Sequence, residues 1–314
     1  MKPLSRLIAG IALGVSALTA MPSWADSFPS KPIKVIVPFA AGGQGDVMAR
    51  LIIKTIEEKQ LLSQPIAVIN VPGGGGTIGV RQAHKADADG HTLLYLHQTL
   101  MTTELQGKLK FDYRAFTPVA ETNNTCLVTA TGSESGIDSA DSWIAQAKAD
   151  PKKIKDATLL GSAAHFTTAM ISKAADMQVG LVNVGGGSDR IASLLGNHTQ
   201  TAVLVAAPIA ANPGLKGLIY YGEERNPQLP QTPTAKELGY DVISCLNNVW
   251  WAPGNTPTEA VSVLQNAFAA ALEDPELIAA IEQKGDTAKL VVGDALDARL
   301  ADIYARLKAA AADL

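Results

Sequence analysis

Four times along this chain a short apolar run feeds a loop of glycine and other small residues, and the loop runs into a helix-like segment. The loops read "AAGGQGD", "PGGGGTIG", "GSAAHF" and "VGGGSD". That repetition restricts the fold more than any other feature. Strand–loop–helix units in series pack as a parallel sheet with helices on its faces. All the loops then gather at the carboxyl ends of the strands, where such sheets bind ligands.

The units can be followed residue by residue. "KPIKVIVPF" reads as a strand, and the helix after it carries Ala49, Ile52, Ile53 and Ile56 at i, i+3, i+4 and i+7. "QPIAVINV", "TIGVRQAHKA" and "HTLLYLH" give strand, helix and strand. The pattern restarts at "ATLLGSAAHFTTAMISKAADM" and continues through "GLVNVGGGSDRIASLLGN", "TQTAVLVAAP" and "LKGLIYYGEER". Two α/β lobes are therefore expected, the second over 129–221. The C-terminal third reads as helices. One has Val261, Leu264, Phe268 and Leu272 on one side. The next has Asp274 as N-cap, Pro275 at its first position and Gly285 at its end. The last carries Leu296, Leu300, Ile303 and Leu307. These helices need a sheet to cover, which assigns 26–128 and 222–314 to the first lobe. The chain then crosses between lobes near 122–129 and 218–223, leaving an interlobe cleft.

The N-terminus reads as an export signal. Lys2 and Arg6 precede the uncharged run "LIAGIALGVSALTAM", and Ser23 and Ala25 supply small residues for cleavage after Ala25. No cysteine near the cut offers a lipid site, so a periplasmic protein without a lipid anchor is expected. The formal charge of −4 becomes two units more negative once Lys2 and Arg6 are gone. An acidic chain with no basic run argues against nucleic acid as a partner. Cys126 and Cys245 permit one disulfide, and two buried free thiols are the equal alternative.

Glycine loops at helix starts suit anions. The first turn of a helix has unpaired N–H groups and the positive end of a dipole, and glycines let a ligand approach the backbone. Nucleotide readings fail on detail. Gly74 and Gly79 have P-loop separation, but Val80 and Arg81 follow where Lys and Ser/Thr are needed. A match to G-x-G-x-x-G at Gly74, Gly76 and Gly79 lacks a ribose-binding acid. A single glycine loop is most simply a tight turn. Four in a two-lobed exported chain favour a ligand.

"FPSKPIKVIVPFAAGGQGDVMAR" and "NVPGGGGTIG" closely resemble the periplasmic receptors of tripartite tricarboxylate transporters, the Bug-type solute-binding proteins. The likeness runs on through "ADADGHTLL", "KFDYRAFTPVA", "QTPTAKELGYDV" and "WWAPGNTPTEAV". It implies an α/β fold of two lobes, of the type II periplasmic binding protein class. It further implies capture of a small carboxylate and delivery to a permease of one large and one small subunit. No cofactor and no metal are expected. The loop at Phe39, Gly42, Gly43, Gln44, Gly45 and Asp46 and the loop at Gly74, Gly75, Gly76 and Thr77 match those that hold one carboxylate in the family. Ser162, Ala163, His165 and Phe166 match a second-lobe loop that contacts the rest of the ligand. The loop containing Gly186 and Ser188 also matches, but many members carry Tyr-Lys-Gly or Phe-Lys-Gly there. Glycines alone imply a larger pocket or a lost cation.

Other residues are weighed on chemistry. Asp46 is expected first as an N-cap and not as a carboxylate contact, the other reading being that it accepts a hydrogen bond that shapes the loop or one from a ligand donor. His97, Gln98 and Thr99 end the third strand and are candidate donors, with a plain surface loop the alternative. Arg190 in a helix first turn suggests a structural ion pair, with bidentate capture of a second carboxylate as the other reading. Trp250 and Trp251 are expected to pack beneath the C-terminal helices. His84, His91 and His198 have no metal-ligand spacing. A ligand sensor feeding a membrane kinase would use the same cleft. An exported hydrolase would need a nucleophile and base; only Ser162 and His165 lie close in sequence, and no G-x-S-x-G elbow exists. A monomeric receptor, not an enzyme, is the expectation.

Overall fold

The computed structural model describes residues 28–311; the expected signal segment, Met1–Ala25, lies outside them. Strand β1 (Ile33–Val37) leads to helix α1 (Gln44–Glu58), β2 (Ile66–Asn70), α2 (Thr77–His84), β3 (Thr92–Leu96) and α3 (Thr99–Leu105). Strand β4 (Phe116–Gly132) follows, then α4 (Ala140–Ala149), β5 (Lys155–Thr158), α5 (Ala163–Ala174), β6 (Gly180–Asn183), α6 (Gly187–Leu195), β7 (Thr201–Val205), α7 (Ala206–Ala210) and β8 (Leu215–Tyr220). The chain ends with β9 (Cys245–Pro253), α8 (Thr258–Ala271), α9 (Pro275–Gln283), β10 (Thr287–Val291) and α10 (Gly293–Ala311).

The two lobes are built alike. In the first, β1 lies between β2 and β3, all parallel. In the second, β5 lies between β6 and β7, again parallel. Antiparallel strands join these triplets. β9 pairs antiparallel with β3 and β4, and β4 also pairs antiparallel with β7, β8 and β10. β4 is 17 residues long and serves both lobes. Its first part pairs with β9 and β10, and from Leu127 onward it pairs with β7 and β8. In sequence this stretch reads only as a crossing between lobes, not as a strand.

Each sheet is buried on both faces, which explains its continuous apolar strands. Val35, Leu93, Tyr95 and Trp250 face one core with Ile52, Leu264 and Phe268 of α1 and α8. Their neighbours Ile36, Leu94 and Trp251 face the other core with Leu296, Leu300 and Leu307 of α10. Adjacent tryptophans on a strand thus serve opposite layers, both beneath C-terminal helices. Asp274 caps α9 by accepting from Glu276 N–H, with Pro275 in the first turn, as the spacing predicts.

The return crossing lies later than expected. Residues 222–244 contribute Ala235 and Val242 to the second-lobe core, beside Trp143 and Ile171. The chain re-enters the first lobe at Ser244–Leu246, where Leu127 N–H donates to Ser244 C=O and Ser244 N–H to Tyr221 C=O. The apolar side chains within 222–244 drive this placement, because the first sheet is already covered by α8, α9 and α10. Cys126 and Cys245 stand opposite each other in the β4–β9 register and form a disulfide at this junction.

Candidate functional site

A cleft of about 810 Å³ opens between the lobes. The carboxyl ends of β1 and β3 in one lobe and of β5, β6 and β7 in the other lead into it. Leu127 of β4 and Leu246 of β9 line it from the crossing strands. Among the described residues that line it, the basic side chains are Lys108 and Arg190, and none is Asp or Glu. A second groove of about 580 Å³ runs over the outside of the second lobe along α5.

Phe39, Gly43, Gln44 and Gly45 present the start of α1 to the cleft. Among the described residues no acceptor meets the amides of Gln44, Gly45 and Asp46, because Val47 makes the first bond back to Gly43 C=O. Gly42 and Asp46 do not line the cleft; they shape it. Asp46 is not the N-cap, which is Gly43. Its carboxylate accepts from Gly42 N–H at 2.9 Å, from Arg50 Nε at 2.9 Å and from Asn70 Nδ2 at 3.0 Å. Asn70 also donates to Phe39 C=O. The first loop is thereby tied to the end of β2. Burial alone would raise the Asp46 carboxyl, but Arg50, Gly42 and Asn70 together hold it below the usual carboxylate range. Gln44 reaches past the cleft, donating to buried Asp286 at 2.5 Å.

The glycine run earns its composition in the backbone. Gly73, Gly74, Gly75 and Gly76 all have positive φ, from 59° to 118°, a sequence of conformations no other residue adopts cheaply. Gly75 reaches the cleft. Gly74 and Gly76 sit behind it, and Thr77 closes the turn through a hydroxyl bond to Gly74 C=O at 3.0 Å.

His97, Gln98 and Thr99 part company. His97 and Thr99 line the cleft. The His97 ring stacks against Phe39, and its Nδ1 lies 3.3 Å from Thr99 N–H. Burial pushes the imidazole down to about 4, so the ring is neutral with its proton on Nε2. Gln98 turns away, donating to Cys245 C=O and accepting from Asn247 N–H, which pins α3 to the crossing strand.

In the second lobe Ser162, Ala163 and Gly186 line the cleft. Ser162 Oγ is buried with no hydrogen-bond partner, and the amides of Ala163 and Ala164 at the start of α5 meet no acceptor among the described residues. His165 turns toward the outer groove; its Nδ1 accepts from Gly161 N–H at 3.0 Å and so props the loop. Phe166 is core, 1% exposed, packed with Leu96 and Leu300 of the first lobe. Ser188 is exposed on α6 and does not line the cleft. Gly186 N–H is taken by Asp189 at 2.9 Å. Residues missed from sequence include Tyr95, Leu159, Leu160, Leu204 and Asn248. Of these, only the bulky apolar pair Leu159–Leu160, exposed at 42% and 49%, carries a signal in sequence, and there it reads as strand.

Two buried carboxyls and one imidazole make stability depend on pH. Burial pushes Asp156 and Asp286 up to about 6, against the hydrogen bonds they accept. With ordinary unfolded values near 4, each contributes stability as a neutral acid below about pH 4 and loses it as pH climbs through 6. His97 works oppositely: its low folded value removes stability as pH falls from about 6.5 toward 4. Asp46 acts only below about pH 4. Between pH 7.5 and pH 5, Asp286→Asn should therefore lose stability relative to wild type and His97→Gln should gain it, each by about 1–2 kcal/mol. Denaturant unfolding at both pH values checks the opposite signs; same-signed changes would sink the assignment.

The arrangement can bind an anion from both sides. Among the described residues Ser162 and His165 do not form a nucleophile–base pair, since Ser162 Oγ is unpartnered and His165 Nδ1 is engaged by Gly161. Comparison with known proteins agrees. The profile of the family described as tripartite tricarboxylate transporter family receptor matches residues 48–301. Protein BugT of Bordetella pertussis is 30% identical over 95% of this chain and 94% of its own. A TctC solute binding protein from Polaromonas, solved without ligand, superposes with a TM-score of 0.79 at 26% identity, over 91% of this chain and 100% of that one. R. palustris Rpa4515, solved with adipate, shares the fold with a TM-score of 0.76 at 21% identity, over 91% and 98% of the two chains.

Proposed function

The chain belongs to the tripartite tricarboxylate transporter receptor family, and on that premise we propose that its cleft takes a dicarboxylate or an aromatic acid. It is a periplasmic solute-binding receptor, and its family delivers solutes to a permease instead of transforming them. In this reading the mature receptor begins after the cleaved signal, works as a monomer, and recognises no nucleic acid. Phe39, Gly43, Gln44, Gly45, Gly75, His97 and Thr99 meet the ligand from the first lobe, and Ser162, Ala163 and Gly186 from the second.

One observation carries the proposal. Among the described residues, the helix starts of α1 and α5 open onto the same cleft from opposite lobes with unsatisfied first-turn amides, and no carboxylate lines it. Amides at a helix start stabilise an anion without a dedicated cation. The apolar part of the lining, from Phe39 to Leu246, suits a hydrocarbon or aromatic body. Rpa4515 with adipate is a precedent for such a ligand on this fold. Closure of the lobes would bury the acid and present a changed surface to the permease.

A thermal-shift screen against mono- and dicarboxylates, aromatic acids, sugars and amines tests it. Saturating carboxylate at about 100 times Kd should stabilise the receptor by about 2.7 kcal/mol. Stabilisation by neutral sugars or amines alone would overturn the proposal.

A further inference from the structure

Arg190 stands in the first turn of α6, where the helix dipole disfavours a cation. A structural ion pair would justify it there. None forms among the described residues. The carboxylates whose charge reaches Arg190 are Asp156 and Asp189, and both are held by other donors. Asp156 accepts from Thr201 Oγ1 at 2.8 Å and from Thr168 Oγ1 at 3.0 Å. Asp189 accepts from Gly186 N–H at 2.9 Å. Arg190 Nε is buried and has no hydrogen-bond partner. Burial draws the guanidinium below its usual range, with Asp156 and Asp189 opposing.

A buried guanidinium nitrogen without an acceptor destabilises the fold, so its presence calls for a gain elsewhere. Arg190 lines the interlobe cleft, and so does Ser162, whose hydroxyl is also buried and unpartnered. The amides at the start of α1 line the same cleft from the other lobe. Leu127 and Leu246, on the strands that join the lobes, present apolar surface between. A volume of about 810 Å³ leaves room for more than a four-carbon acid.

We infer that Arg190 is a second anion anchor of the cleft, and that the ligand carries two acidic groups at opposite ends of an apolar or aromatic body. One group sits on the α1 amides, the body lies over Leu127 and Leu246, and the far group takes the Arg190 fork, with Ser162 Oγ as an additional donor. A guanidinium suits this role because it binds a carboxylate through two parallel N–H donors. The inference rests on the carboxylate reading of the cleft and adds the residue that selects diacids over monoacids.

Calorimetry on the full mature receptor separates the two. The probes are adipate, suberate and terephthalate, each against the monoacid of matching skeleton: hexanoate, octanoate and benzoate. Wild type should bind each diacid at least about tenfold tighter than its monoacid. Arg190→Gln should weaken the diacids by roughly 10- to 100-fold and leave the monoacids within about twofold. Arg190→Lys should restore part of the diacid preference. Unfolding of Arg190→Gln in the absence of ligand should match or exceed wild type, because no native hydrogen bond is lost. If monoacids bind as well as diacids, or if Arg190→Gln weakens both alike, the carboxylate reading stands and the Arg190 assignment falls. If wild type binds none of the six acids, both fall.

Discussion

Gly45→Asp is expected to weaken carboxylate binding by at least about 100-fold while leaving the melting temperature unchanged or higher. The two effects come from one carboxyl group. Gly45 is the second residue of α1 in ordinary helical conformation, and a Cβ there would meet only Val37 Cγ1, at 3.9 Å. Replacing glycine by aspartate inside a helix gains about a few tenths of a kcal/mol, and an acid in the first turn gains a further 0.3–1 kcal/mol or so from the dipole. The new carboxylate then occupies the amides that otherwise await the ligand. Most losses of binding come with losses of stability, so opposite signs identify the α1 start as the anion site. Affinity within a few-fold of wild type, measured by calorimetry, would remove α1 from the site.

Opening the Cys126–Cys245 bond should cost the fold about 3–5 kcal/mol. The bond closes a chain segment with a sequence separation of 119, long enough to restrict the unfolded ensemble strongly. For a protein of this size that corresponds to a fall of roughly 6–20 °C in melting temperature. Cys126→Ala with Cys245→Ala, and wild type under strong reductant, should agree. Neither half-cystine lines the cleft, so carboxylate affinity well below the new melting temperature should fall far less than for Gly45→Asp. A double variant melting within about 2 °C of wild type would show that the junction is held by the β4–β9 ladder alone.

The repeated units were legible because two periodicities coincide there. Apart from Lys34 and Thr92, β1 and β3 are apolar, and α1 keeps Ala49, Ile52, Ile53 and Ile56 on its buried side. β4 escaped because its residues look like a loop. "ETNNT" is polar, yet Glu121, Thr122, Asn123, Asn124 and Thr125 are all buried. They satisfy one another across the junction. Asn123 accepts from Tyr95 and donates to Asp286, Thr122 accepts from Trp250, and Glu121 pairs with Arg299 at 2.9 Å. Such satisfaction depends on partners distant in the chain, which no local pattern records.

The site divides in the same way. Which loops meet at the cleft follows from where glycines stand against strands and helices. Which side chains aim into it does not. Gln98, His165 and Phe166 sit on the right loops and are drawn off by a crossing strand, a neighbouring amide and an apolar core. Arg190 reads as a structural ion pair and lines the cleft instead, because the two carboxylates whose charge reaches it are already held by threonine hydroxyls and a glycine amide.

The late return of the chain also sets an order of folding. The second lobe is one unbroken segment from Leu127 to Ser244, and its parallel triplet, its covering helices and the 222–244 segment are all local to it. The first lobe is interrupted. Ile52 and Leu93 find Leu264, Phe268 and Ile281, and Ile36 finds Leu300, only after that whole segment has been spanned. A chain made from its N-terminus can therefore assemble the inner lobe while the outer one still exposes half of its core. Closing the outer lobe requires contacts of long sequence separation, the kind that slow folding. Kinetic vulnerability, to aggregation or to proteolysis, should concentrate in β1, α1 and β3 until α8 and α10 arrive.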